Sequence, residues 1–185
     1  STVAVKGVNV AWTERAKNAG NRSYIEIGGK SLFVTPGVNV LIGRDGGAGS
    51  EQRWHIKENA VLQITRDKEG VFIGYNDTEN GCVTGIVDFV DNTFFKVESG
   101  DLSLGYLSKS GSAYGKLRLA DNSRLQLNVG GLIRVGRSSG GIGVLELAGG
   151  CISAKCINQI DGRGEFLADG GMFVSTAATD ADNAA

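Results

Sequence analysis

The chain has one proline, one methionine, one histidine and three cysteines in 185 residues, and only 7 % of it is aromatic. Each scarcity excludes something. His55 has no second imidazole to join it in a zinc site and no marked nucleophile to serve as a base. Lying between Trp54 and Ile56, it is expected to point outward from a strand. Cys82, Cys151 and Cys156 form an odd, sparse set without CxxC spacing, so they define neither a disulfide framework nor a metal centre. Alternation turns Cys156 inward beside Ile152 and Ala154, while Cys82 lies exposed in a loop. No apolar run approaches the ~20 residues of a membrane helix. A net charge of −1 without runs of one sign excludes the basic stripe that binds nucleic acid or an anionic membrane surface. The start, Ser1-Thr-Val-Ala-Val-Lys6, lacks the pattern of a signal peptide and reads as the start of a mature chain or of a segment cut from a longer one.

Glycine, by contrast, is abundant, with 29 residues, and part of it is periodic. Gly43, Gly74, Gly105 and Gly136 each follow the last by 31 residues, and apolar residues stand one and three places before each. These are Val40/Ile42, Val71/Ile73, Leu102/Leu104 and Ile133/Val135, with Val8/Val10 one period earlier. Residues two apart share one face of a strand, so each pair is an inward strand face. A second set follows at Ile25/Ile27, Trp54/Ile56, Val87/Phe89, Leu117/Leu119 and Leu145/Leu147. Corners of Gly28-Gly29, Glu58-Asn59, Asp91-Asn92, Asp121-Asn122 and Gly149-Gly150 come next, residue types that reach positive φ at low cost. A third set, Leu32/Val34, Leu62/Ile64, Phe95/Val97, Leu125/Leu127 and Ile152/Ala154, completes the period.

Three short strands and three bends make one coil, and no coil buries its apolar pairs alone. Stacking at about 4.8 Å pairs each strand with its copies above and below. The expected fold is therefore all-β: a single-stranded parallel β-helix of five to six coils at about 31 residues each. A sandwich or barrel would show hairpin turns every 8–12 residues without the long period. The domain is expected over 1–174, with 13–20 as a short helix or N-terminal cap and 175–185 as a polar tail or linker. Met172 and Val174 form the last apolar pair, leaving an end that either continues into further repeats or pairs with another copy. The polar, Gly- and Ser-rich arms at Arg44–Arg53, Tyr75–Gly85, Tyr106–Lys116 and Arg137–Gly143 are expected to bulge from one side.

The stretch Gly143-Val-Leu-Glu-Leu-Ala-Gly-Gly-Cys-Ile-Ser153, with its echo at Glu165-Phe-Leu-Ala-Asp-Gly-Gly-Met-Phe-Val174, resembles the Gly-Gly-centred repeat of bacterial autotransporter passenger domains and autotransporter-associated β-strand repeat proteins. The likeness covers about 130–174. It implies a right-handed β-helix, exported and surface-exposed, used for adhesion or display, and it contributes no catalytic residues.

Other motifs are weak. Arg44-Asp-Gly-Gly-Ala-Gly-Ser-Glu51 lacks the Lys-Ser/Thr ending and following helix of a phosphate loop. Asn21-Arg-Ser23 and Asn76-Asp-Thr78 match the N-glycosylation pattern, a frequent chance match. The period position just after glycine carries more: Trp12, Arg44, Tyr75, Tyr106 and Arg137, with Arg163 in the degenerate last turn. Stacked in register, these form either a sugar-binding strip or a self-satisfying ladder of ring and cation–π contacts, the more economical reading. For them to face outward, the glycine must bend the strand. A second outward column, Glu26, His55, Asp88, Arg118 and Glu146, alternates in sign at its end and lacks like carboxylates on adjacent coils.

The function expected is therefore that of a non-enzymatic extracellular or cell-surface β-helix segment, structural or adhesive, whose partners are surface glycans or other proteins. No catalytic residues, cofactor, metal, nucleic acid or membrane insertion are expected. The alternative is a carbohydrate-active β-helix, a polysaccharide lyase or hydrolase or a phage tailspike segment.

Overall fold

The computed structural model describes residues 2–4, 22–29, 31–36, 40–44, 49–65 and 70–177. Strand β1 (Thr2–Ala4) precedes the first described coil. The chain then lays down strands in threes: β2 (Arg22–Ile27), β3 (Leu32–Pro36) and β4 (Val40–Arg44), then β5 (Ser50–Ile56), β6 (Val61–Thr65) and β7 (Val71–Asn76). The third coil comprises β8 (Gly81–Phe89), β9 (Phe94–Val97) and β10 (Leu102–Leu107). In the next two coils the first two strands of the three fuse around the corner. They run as β11 (Gly111–Leu127) and β12 (Leu132–Arg137), then β13 (Gly141–Ala154) and β14 (Cys156–Ile160). Strands β15 (Arg163–Ala168) and β16 (Met172–Ser175) begin one more.

Strand-to-strand pairing is parallel throughout these elements, each strand joining its counterpart one coil away. The chain is an all-β parallel solenoid. Among the described residues five strands stand on the glycine face in the order β14-β12-β10-β7-β4, so the chain completes four turns from the first to the last of them. The expected count of five to six coils included a turn around Val8/Val10, which lies outside the described residues. It also included the last turn, of which β15 and β16 are the strands among the described residues. The Thr13–Gly20 segment also lies outside the described residues.

The register follows the apolar pairs. Ile42, Ile73, Leu104 and Val135 are direct partners up one column, each at most 3 % exposed. Trp54, Val87, Leu117 and Leu145 make the second face, with Ile56, Phe89, Leu119 and Leu147 beside them, all buried. Leu62, Phe95, Leu125 and Ile152 line the third, and Phe89 and Phe95 stack across the interior at 4.9 Å between ring centres. Burying one such side chain is worth about 1.5–3 kcal/mol, against about 0.2–1 kcal/mol for an outward pair. The columns therefore set the fold.

The corners between the second and third faces take the conformation their residues allow. Glu58, Asn59, Asp91, Asn92 and Asp121 all have positive φ, between 55° and 62°. Corners bond to corners: the Asp91 N–H donates to Asp121 Oδ2 at 3.2 Å, and the buried Thr93 hydroxyl to Ser123 Oγ at 2.9 Å.

At the period glycines the strand bends as required. Gly74 has φ +71°, which resets the alternation so that Ile73 faces inward and Tyr75, two residues on, faces outward. A Cβ there would stand 2.0 Å from the Tyr114 carbonyl oxygen, because the strand of the second face passes directly behind. Its own residue at the crossing is Gly115, whose Cβ would meet the Ile73 carbonyl oxygen at 1.9 Å. Gln52, Gly85, Gly115, Gly143 and Gly164 form this second column, partner to partner.

Four expectations change. In β3 the backbone register pairs Phe33 with Leu62 and Thr35 with Ile64, whereas Leu32 and Val34 pair with Val61 and Gln63 instead of with the expected Leu62 and Ile64. The reason is the corner length, which is the same from Ile27 to Phe33 as from Ile56 to Leu62. At the other end, Phe173 and Ser175 lie under Ile152 and Ala154, displacing Met172 and Val174 from that role; Ser175 thus belongs to a strand rather than to the tail. Cys156 is the first residue of β14, past a bend at Lys155 that restarts the alternation. It partners Leu132 and bonds outward to Asn158 Oδ1 at 3.2 Å. Three of the arms, finally, do not bulge: strand resumes at Gly81, Gly111 and Gly141, leaving only short turns at 77–80, 108–110 and 138–140. The first arm, Arg44–Arg53, lies partly outside the described residues, which resume in strand β5 at Ser50. Their small residues serve close approach of two strands.

Candidate functional site: ladders on three outer faces

On the outside of the glycine face, the bend at Gly74 and Gly105 presents Tyr75 and Tyr106 one above the other, partners in the ladder. Their ring centres are 5.2 Å apart at an interplanar angle of 38°. Phe72 points outward between the inward Val71 and Ile73. It lies 5.3 Å from Tyr75 and 5.7 Å from Tyr106, stacked on the latter. From the next coil, the Arg137 guanidinium covers Tyr106 at 4.5 Å and reaches Phe72 at 5.9 Å. Tyr106 thus has rings of the preceding coil on one side and a cation of the following coil on the other. Three of the expected strip residues, Tyr75, Tyr106 and Arg137, are brought together. The backbone of Arg44 pairs with that of Tyr75, and Trp12 lies outside the described residues. Arg163 is on β15 of the second face, its backbone passing behind Gly136, and not on the glycine face that carries the strip.

Phe72 was legible as an outward residue from alternation alone, yet it lies off the period position and escapes a reading built on that position. So does the ion pair of Arg134 with Asp101, at 2.7 Å, in which Asp101 also accepts the Leu132 N–H at 2.9 Å. The turns beside the strip are pinned from within. Asn76 is fully buried, donates to the carbonyls of Gly81 (2.7 Å) and Ser112 (3.2 Å), and accepts from the Thr78 N–H and hydroxyl. An amide so engaged is not a glycan acceptor. Asn21, the other sequon, lies outside the described residues.

The second face carries the charged column. Glu26, His55, Asp88, Arg118 and Glu146 are successive partners. Glu146 is gripped by Lys116 Nζ at 2.6 Å and Arg118 Nε at 3.0 Å. Lys116 first, then Arg118, hold its carboxyl below the usual range, against the opposing pull of partial burial. Glu26 takes Lys57 Nζ at 3.0 Å and the Tyr24 hydroxyl at 3.1 Å, and Lys57 is the main cause of its lowered pKa. On the third face Glu98 pairs with Lys96 at 2.8 Å and accepts from Gln63 at 2.6 Å. Lys96 is the principal cause of its lowered pKa. Beside that pair lies an open groove of about 330 Å³ lined by Gln126, Asn128, Ser153 and Thr176.

A carboxylate held anionic by two cations cannot donate a proton near neutral pH, so Glu146 is unsuited to general acid chemistry. Cys82, Cys151 and Cys156 are free thiols, with Cys82 exposed. Among the described residues no group of three His, Cys, Asp or Glu could hold a metal, and no helix is long and apolar enough to cross a membrane.

These features define a parallel β-solenoid whose outer side chains pair between coils. Comparison with protein-family profiles, curated proteins and solved structures finds no match.

Proposed function

We propose that the chain is a non-enzymatic structural segment of a surface or extracellular β-helix, acting as a rod that spaces, displays or adheres. One observation carries this reading: each of the three faces carries outward groups engaged by neighbours from adjacent coils. Examples are Tyr106 between Tyr75 and Arg137, and Glu146 between Lys116 and Arg118. Such ladders stiffen a stack and leave little to converge on a substrate. The surface location and adhesive use draw their support from the likeness of 143–153 and 165–174 to passenger repeats.

Glycan contact at Tyr75, Tyr106 and Arg137 is the adhesive mode the strip allows, with sugars meeting ring edges and phenol hydroxyls. Aromatic platforms that bind strongly need a free ring face, and here Tyr106 has neighbours on both sides. The test is a glycan array and NMR titration run beside a product assay on acidic polysaccharides. The reading expects no turnover and at most weak binding that disappears in Tyr106→Ala. Turnover would replace it with the carbohydrate-active alternative.

A further inference from the structure

Among the described residues, the last coil of the solenoid presents a cross-section of the core with no further strand laid on it. Phe166 continues the column of Val87, Leu117 and Leu145, yet it is 45 % exposed where those three are fully buried. Phe173 continues the column of Leu125 and Ile152 and is 37 % exposed. Leu167, Met172 and Val174 are exposed beside them. Strand β15 pairs with β13 along one edge only, so among the described residues its other edge offers free N–H and C=O groups. Such an edge is a template for another strand.

We propose that this end binds a second copy of the chain, tail to tail, with β15 pairing antiparallel to β15 of its partner about a two-fold axis at Phe166. Three features favour this occupant. The end of a helical stack is a ramp, and a two-fold axis perpendicular to the stack maps a ramp onto its complement. Two such ends therefore meet at uniform strand spacing around the coil, with the chains reversed. A two-fold contact requires only self-complementarity of one patch. With Phe166 on the axis, the antiparallel register sets Arg163 opposite Asp169 of the partner subunit, twice. Both side chains are exposed and form no ion pair with another described residue. The same register keeps inward residues opposite inward ones, Gly164 against Ala168 and Phe166 against itself, so the apolar column closes. Ladder pairing of β15 already extends to Asp169, whose N–H donates to the Leu147 carbonyl at 2.8 Å, so the strand is ordered across the whole register.

A head-to-tail contact fits less well. Strand β1, which lies outermost on the third face, would meet β16, but β2 follows only after a further passage around the coil. It would be held a layer away from β15.

The test is sedimentation velocity of the 185-residue chain over a wide concentration range, with three variants checked for native circular dichroism. A monomer–dimer equilibrium that stops at the dimer is expected. Phe166→Glu should weaken it by about tenfold or more. Asp169→Arg should weaken it several-fold by setting two arginines face to face. The swapped double variant Arg163→Asp/Asp169→Arg should restore it. Monomer at every concentration, open-ended filaments, or a dimer indifferent to Phe166→Glu would each overturn the proposal. So would failure of the swap to rescue, which needs no change in the apolar end and is insensitive to any cost Phe166→Glu has for folding.

Discussion

The side-chain oxygen of Gln52 accepts the N–H of Gly43 at 2.7 Å, inside a protein where the coils that follow place glycine at the position of Gln52. In those coils the strands of the first and second faces touch backbone to backbone. At Gln52 they part enough to admit a side chain, and its amide takes over a backbone donor that would otherwise be buried without a partner. Gln52→Ala should cost about 1–3 kcal/mol, the penalty for an orphaned buried donor. Urea denaturation measures it, and a loss within error of zero would mean that the Gly43 N–H finds water.

Gly74→Ala and Gly115→Ala should be far worse. The first puts a Cβ 2.0 Å from a carbonyl oxygen at φ +71°, and the second puts one 1.9 Å from another. Relieving either clash means separating two sheets, so a loss of about 3 kcal/mol or more is expected in each, at the severe end for single substitutions. Near-native melting temperatures would show that the sheets do not meet there.

Leu119 and Arg118 test the inward/outward register. Leu119 is fully buried, and Leu119→Ala should cost about 2–5 kcal/mol through lost transfer energy and a cavity. Arg118→Ala removes only a half-exposed partner of Glu146, which keeps Lys116, and should cost under about 1 kcal/mol. Equal losses in parallel denaturant titrations would invert the assignment.

Much of this was legible in the sequence because the 31-residue period places chemically equal pairs at equal heights. Ile42, Ile73, Leu104 and Val135 needed only counting, and the corners needed only the knowledge of which residues take positive φ. What was not legible depends on where the period slips. The Gln52–Gly164 column runs at unequal spacing, since turns between faces differ in length, and its glycines look like loop residues until two strands are seen to touch. Leu32 and Phe33 are both apolar, so pattern could not choose which of them pairs with Leu62, whereas corner length did. Cys156 lies past a bend that alternation does not foresee. The outward strip was legible as a column. That its rings would be occupied by Phe72 and Arg137 was not, because Phe72 stands three residues from the period position.

Acid should act through the paired carboxylates. Glu26, Glu98 and Glu146 all have pKa values lowered in the folded chain, chiefly by Lys57, Lys96 and Lys116 respectively. A lowered folded pKa means stabilisation that is fully present above the unfolded value of about 4.3 and is lost as pH falls through the folded value. Stability should therefore be flat from neutral pH to about 5 and decline below about 4. Glu146→Gln should be less stable than the parent at pH 7, and the gap should close as pH falls through the lowered folded pKa of Glu146. A gap that persists in acid would assign the contribution of Glu146 to packing.

The central claim is that residues one period apart are neighbours in a parallel stack. Methyl–methyl nuclear Overhauser effects on selectively labelled protein test it most directly. The stack predicts contacts from Ile42 to Ile73, Ile73 to Leu104 and Leu104 to Val135, with none skipping a coil from Ile42 to Leu104. Absence of the 31-residue contacts, or cross-peaks typical of antiparallel hairpins between neighbouring strands, would contradict it.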